Sequence, residues 1–208
     1  MPTHRTPRST TTRITTTLVG LVAALVLTAC GGADSSGDRP GAANGGTTAS
    51  SSTHNDADVA FAQQMTAHHQ QAVEMAQLAA TRASNAQVAD LAARIEAAQG
   101  PEIQTMTGWL EAWGVDPSTP GTDHGGPGMG DMAGSMSSED MDRLESLSGS
   151  EFDRAFLTLM TSHHQGAVDM ATTEQADGTD PDAVALAGQV ITDQTAQIGE
   201  MQALLTQV

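Results

Sequence analysis

From about residue 56 onward, apolar positions recur at helical intervals and strand signals are nearly absent. A first helix is predicted from a cap at Asn55 or Asp56 to about Arg82. Ser84, with Gln87 three positions on, reads as a capping box for a second helix ending at Trp113-Gly114. Pro101 is expected to kink that helix, because proline removes a hydrogen bond and crowds the preceding turn. Ser148 with Glu151 opens a third helix. Thr179-Asp180-Pro181-Asp182 opens a fourth, with proline at a favoured first-turn position. A short extra helix is expected around residues 138–147, in the connection between the two halves.

The pattern repeats. Phe61 to Ala76 returns without a gap as Phe156 to Ala171, at an offset of 95 residues. Ser84/Thr179, Leu91/Leu186, Gln99/Gln194, Ile103/Ile198, Met106/Met201 and Leu110/Leu205 keep the same register. Each repeat, about 58–110 and 153–205, is therefore a helical hairpin. Together the hairpins predict an all-α, four-helix bundle over 57–208 with approximate twofold symmetry.

What repeats is a pair of adjacent histidines between two methionines: Met65, His68, His69, Met75 and Met160, His163, His164, Met170. With Met65 at 0° and ~100° per residue, His68 falls near about −60° and Met75 near about −80°. Phe61 and Ala72 lie beside them, and Glu74 and Asp169 face solvent. The stripe points into the bundle, where facing helices commonly build metal sites. Methionine at helical spacing often only fills a core. Two neighbouring histidines splay by ~100° and cannot share one burial role. Imidazole and thioether without thiolate suit copper, Cu(I) above all, with Cu(II) permitted. Met106 and Met201 read as core. The spacing leaves open whether the repeats make two sites or one composite site, and which histidine of each pair faces inward. His69 and His164 either complete the sites or orient their neighbours.

The linker, about 114–138, carries His124, Met129, Met132 and Met136 in glycine-rich sequence that offers methionine little core to fill, so these residues are candidate soft ligands too. At the N-terminus, His4, Arg5, Arg8 and Arg13 precede a short apolar run, Leu18 to Leu27, and then Leu27-Thr28-Ala29-Cys30. The run is about half the ~20 residues a membrane span needs, so residues 1–29 read as a signal peptide. A cysteine directly after small residues resembles the bacterial lipoprotein box, so Cys30 is the expected lipidation site. That leaves no thiolate for a blue-copper centre. Residues 31–56 form a polar tether. All 25 acidic residues follow Cys30 against five arginines, giving the mature chain a charge of −20. Such a charge argues against nucleic acid and anionic headgroups as partners and concentrates cations nearby. It also simply keeps an exported protein soluble.

The chain resembles a known bacterial family, domain of unknown function 305, over about residues 56–207. The resemblance rests on Asp58…Phe61…Met65…His68-His69…Ala72…Met75 and on Asp153…Phe156…Met160…His163-His164…Gly166-Ala167…Met170. Gln99…Glu102-Ile103…Met106…Trp109-Leu110 adds to it. The resemblance implies a ferritin-like four-helix bundle, export, and copper binding, with silver as a mimic. The halves differ in Gln71 against Gly166, Glu102 against Gln197 and Trp109 against Leu204.

The expected function is a lipid-anchored, extracytoplasmic protein on the outer face of the cytoplasmic membrane that sequesters copper or transfers it to an exchanging partner. Binding is expected to weaken below about pH 6, where imidazole protonates. No enzyme is expected: the chain contains no Glu-x-x-His for a di-iron centre and no nucleophile elbow. The alternative is a structural or interaction module of the cell surface without specific metal affinity.

Overall fold

Asn55 starts the fold. Its side-chain oxygen accepts from the Ala57 and Asp58 amides while Asp58 accepts from the Asn55 amide at 2.6 Å. This reciprocal capping box launches α1, Asp56–Arg82. Helix α2, Ala86–Trp113, begins at Asn85, whose side chain accepts from the Gln87 amide at 2.8 Å. It continues through Pro101 as one helix and ends on Gly114 in the left-handed conformation, φ 76°. The expected Ser84–Gln87 box does not form, because the Ser84 hydroxyl donates to Asp153 instead, at 2.6 Å. The short helix α3, Ser138–Ser146, starts from a Ser137–Asp140 capping box. Helix α4 spans Gly149–Asp177, and Ser148 makes no side-chain capping bond, so the expected Ser148–Glu151 box is absent. Helix α5, Pro181–Leu205, has Asp180 as cap and proline in its first turn, as predicted.

This computed structural model describes residues 54–117 and 133–208, which lie in one unit, Thr47–Val208. Cys30, His124, Met129 and Met132 lie outside the described residues. Among the described residues there is no strand, and no helix is long and apolar enough to cross a membrane. The fold is all-α. The most extensive packing is α1 on α2 and α4 on α5, α1 and α4 form the seam between the hairpins, and α2 touches α5 only at the margin.

Two buried carboxylates lock the seam. Asp58, at the start of α1, accepts from the Thr179 and Asp180 amides at the α4–α5 turn, at 3.0 and 2.9 Å. Asp153, at the start of α4, accepts from the Ser84 and Asn85 amides at the α1–α2 turn, at 3.1 and 3.0 Å. Asp58 and Asp153 are 95 residues apart, so each hairpin supplies the acceptor for the other's turn. These contacts also make α1 and α4 antiparallel. The core on either side of the seam's midpoint divides into two clusters. One holds Met75, Leu91, Ile95, Phe152, Phe156, Met160 and Met201, and the other holds Phe61, Met65, Met106, Leu110, Ala167 and Val190.

Candidate metal centre

The midpoints of α1 and α4 carry the histidine pairs, and both residues of each pair are buried. Helix α1 has two neighbours, α2 and α4, and successive residues turn by ~100°. One histidine therefore faces each neighbour. His68 and His163 meet across the seam, with ring centroids 3.6 Å apart and planes inclined by 33°. His69 turns into its own hairpin, where its Nε2 lies 2.7 Å from Glu102 Oε2. His164 does the same with Gln197 Oε1, also at 2.7 Å. His68 and His163 are thus the inward pair.

These partners fix the outer tautomers. A carboxylate or amide oxygen accepts only, so Nε2 of His69 and His164 carries the hydrogen. Both Nδ1 atoms are buried without a partner, as are both ring nitrogens of His68 and of His163. Each such atom costs about 1–3 kcal/mol if left unmatched, so six in one layer call for an explanation. Burial pushes the His68 pKa down to about 3, helped by repulsion from His69 and His164. Burial likewise lowers His163 well below its ordinary value, with His68, His164 and His69 adding to the effect. Burial brings His164 down to about 4, against the opposing hydrogen bond from Gln197. These three rings are neutral near pH 7, which is the ligating form of imidazole.

The methionines flank this layer from both sides. Because α1 and α4 run antiparallel, Met75 joins Met160 in one cluster, and Met65 joins the partly buried Met170 in the other. The two copies of the motif therefore converge on one pseudo-twofold axis rather than forming two separated centres. Among the described residues, no three His, Cys, Asp or Glu side chains are grouped to hold a metal ion. A metal at the axis needs thioether sulfur as well as imidazole, and the adjoining methionines fit that need.

The end of the linker lies across this seam. The Met136 amide donates to Gln71 Oε1 at 2.7 Å, and Gln71 Nε2 donates to the Met136 carbonyl at 3.0 Å. On the other side, the backbone of Ala133 and Gly134 sits directly on Gly166. A Cβ at Gly166 would collide with the Ala133 carbonyl and come within 2.9 Å of Gly134 Cα. Gly134 has φ 75°, and a Cβ there would come within 2.6 Å of the Ser162 carbonyl oxygen. The Ala133 carbonyl also favours the protonated His68 ring, without reaching hydrogen-bonding geometry with either nitrogen. Met136, expected as a linker ligand, packs against the cluster that contains Met75 and Met160. Position 71 corresponds to 166, so one unlike pair of the repeats holds the connecting segment from both sides. The roles of Gln71, Gly166 and Gln197 are not readable from one repeat alone; their signal is the departure from the duplicated pattern.

No curated protein matches the chain. Among solved structures, a Streptomyces coelicolor protein described as secreted shares 34% identity, covering 73% of this chain and 93% of its own, with a TM-score of 0.67. A fragment from Deinococcus radiodurans shares 30% identity over 74% of this chain and 98% of its own, with a TM-score of 0.66. CopM in its Cu(II)-bound form shares 32% identity over 72% of this chain and 96% of its own, with a TM-score of 0.61. CopM has also been solved bound to Cu(I) and to silver. The family described as Domain of unknown function (DUF305) matches residues 58–205, and the chain belongs to it.

Proposed function

We propose that this protein binds copper outside the cytoplasm, anchored through a lipid on Cys30, and sequesters or passes on the metal without catalysing a reaction. The observation that carries this reading is the layer of six unpartnered, buried imidazole nitrogens on the pseudo-twofold axis, with methionines on both sides. A core histidine kept for packing normally finds a hydrogen-bond partner for at least one nitrogen; His68 and His163 have none. The likeness to CopM, solved with Cu(I), Cu(II) and silver, supports the same chemistry. The likeness to a protein described as secreted supports an extracytoplasmic site of action.

His68 and His163 would hold the metal from opposite hairpins, Met75, Met160, Met65 and Met170 would supply sulfur, and His69 and His164 would complete the set or orient it. Glu102 and Gln197 keep the outer rings in one tautomer. The linker residues His124, Met129, Met132 and Met136 would serve capture.

The test is a Cu(I) titration of the mature chain, with Cys30→Ser to prevent lipidation, against a chromophoric chelator under reducing conditions. The expected result is tight binding of about one ion per chain that is lost in a His68→Ala/His163→Ala variant. Binding that survives this variant but disappears when the linker methionines are replaced would move the site to the linker. No competition with the chelator would leave a helical interaction module of the cell surface as the better account.

A further inference from the structure

The axial histidines are sealed: His68 is 1% exposed and His163 is 0% exposed. A metal that reaches them has to pass some part of the surrounding protein. The two core clusters differ in what closes them. The cluster holding Met65 and Met170 is backed by Trp109 and Trp113, whose rings lie 6.1 Å apart, with His54 stacked on Trp113 at 4.4 Å. The cluster holding Met75 and Met160 is backed instead by two further methionines from the connecting segment and α3, Met136 and Met141, both partly buried. Both clusters hold methionines, but among the described residues only the second has methionines of the connecting segment and α3 packed against it.

The segment at residues 133–136 lies over the seam on that second side. Among the described residues, two fastenings hold it besides the packing of Met136. Gln71 grips the Met136 backbone with a reciprocal pair of hydrogen bonds, and the missing side chain of Gly166 makes room for Ala133 and Gly134. Neither fastening is a backbone hydrogen bond of a helix, and Met136 adds only partly buried packing on the core cluster. A strap so held can lift while the bundle beneath it stays folded, because among the described residues opening it breaks two hydrogen bonds, the close backbone contacts at Gly134 and Gly166 and the packing of one partly buried methionine.

We propose that residues 133–136 form the gate through which metal reaches the axial histidines, with Gln71 and Gly166 as its positioning residues. Met136 is the first sulfur donor on the path to Met75, Met160 and the imidazoles. This rests on the copper-binding reading and adds a route and a rate to it. A gate sets a barrier common to uptake and release, so loosening it changes both rates and leaves the equilibrium affinity nearly alone.

Two lesions test this independently. Gln71→Ala removes both side-chain hydrogen bonds, and Gly166→Ala forces the Ala133–Gly134 backbone away. Cu(I) presented as its bathocuproine complex would be mixed with the full mature chain, and uptake followed by the loss of chelate colour. Release would be followed by the reverse exchange. Hydrogen exchange of the Met136 amide in the metal-free protein reports the strap itself. The expected result is faster exchange of that amide and about tenfold faster uptake and release in both variants, the factor two lost hydrogen bonds would supply, with affinity within about threefold of wild type. Met136→Leu, which keeps the bulk and removes the sulfur, is expected to slow uptake. Accelerated Met136 exchange with unchanged copper rates would overturn the gate while leaving the binding site intact. A wild-type chain that takes no Cu(I) from the chelate would remove the binding reading, and the gate with it.

Discussion

The first hairpin has Ala79, Gln71 and Glu102 where the second has Glu174, Gly166 and Gln197, yet both keep the same Asp, Met and His frame. The shared residues answer to the symmetry: Asp58 and Asp153 each hold the opposite turn, and His68 and His163 face each other. One unlike pair, Gln71 and Gly166, sits where the symmetry has to fail. A twofold frame cannot receive a single connecting segment in two equivalent ways, so Gln71 grips it on one helix and Gly166 makes room for it on the other. Glu174 is the second kind of departure, a third buried carboxyl at the Asp58 end with no counterpart beside Asp153. Burial and the nearby charges of Asp58, Asp180 and Asp177 push its pKa up to about 8. Burial also opposes ionisation of Asp58, but hydrogen bonds from the Asn55 amide, the Asp180 amide and Thr179 outweigh it and keep its pKa low.

The largest effect expected from breaking this comparison comes at the turns. Asp153→Ala leaves the Ser84 amide, the Ser84 hydroxyl and the Asn85 amide without their acceptor, at a cost of about 3 kcal/mol in denaturant unfolding. Asp58→Ala is expected to cost less, because it also frees Glu174 from its negative neighbour. Equal losses would show that Glu174 places no burden on its end of the bundle.

The two regions should also respond to pH with opposite signs. Glu174 holds a proton in the folded state that the unfolded chain releases above the ordinary glutamate value of 4.5, so its contribution falls as pH rises from 4.5 to about 8. His68 and His164 are lowered from 6.5 to about 3 and about 4, so their contribution is present above pH 6.5 and is lost as the solution becomes more acid. Thermal melts of the metal-free protein should therefore show both slopes. Glu174→Gln should flatten the alkaline one and leave the acid one in place; an unchanged alkaline slope would clear Glu174 of the effect.

The smallest effect concerns the outer histidines. Glu102→Gln gives the first hairpin the partner already found in the second, and should weaken metal affinity by about tenfold through the less basic His69. Gln197→Glu should move affinity the other way. Identical affinities in all three proteins would mean the outer rings do not reach the metal.

The helices and their pairing were legible in the sequence because the 95-residue offset aligns two independent copies of each signal. The caps were less so. Ser84 and Ser148 have the local pattern of capping residues, but local pattern assumes the hydroxyl is free to turn inward. At Ser84 a carboxylate 69 residues away takes it. The helical wheel placed Met65, His68 and Met75 on one stripe. It could not choose between the histidines of a pair, because α1 has two buried faces and fills one with each ring. The strap was invisible for a similar reason: its fastening joins residues 65 apart in sequence, and a glutamine on a helix carries no sign of what it will meet.

The crossed grip of Asp58 and Asp153 has a consequence for ancestry. A hairpin with its own Ser/Thr turn between its helices and its own buried aspartate at its start lacks an acceptor for the one and donors for the other. Two copies of such a hairpin satisfy each other reciprocally, as an isologous pair does. An unfused hairpin of this design would assemble only as a dimer, with its histidine layer completed between subunits and its stability tied to concentration. Joining the copies in one chain makes the encounter intramolecular, so the layer can form in a single molecule however dilute it is.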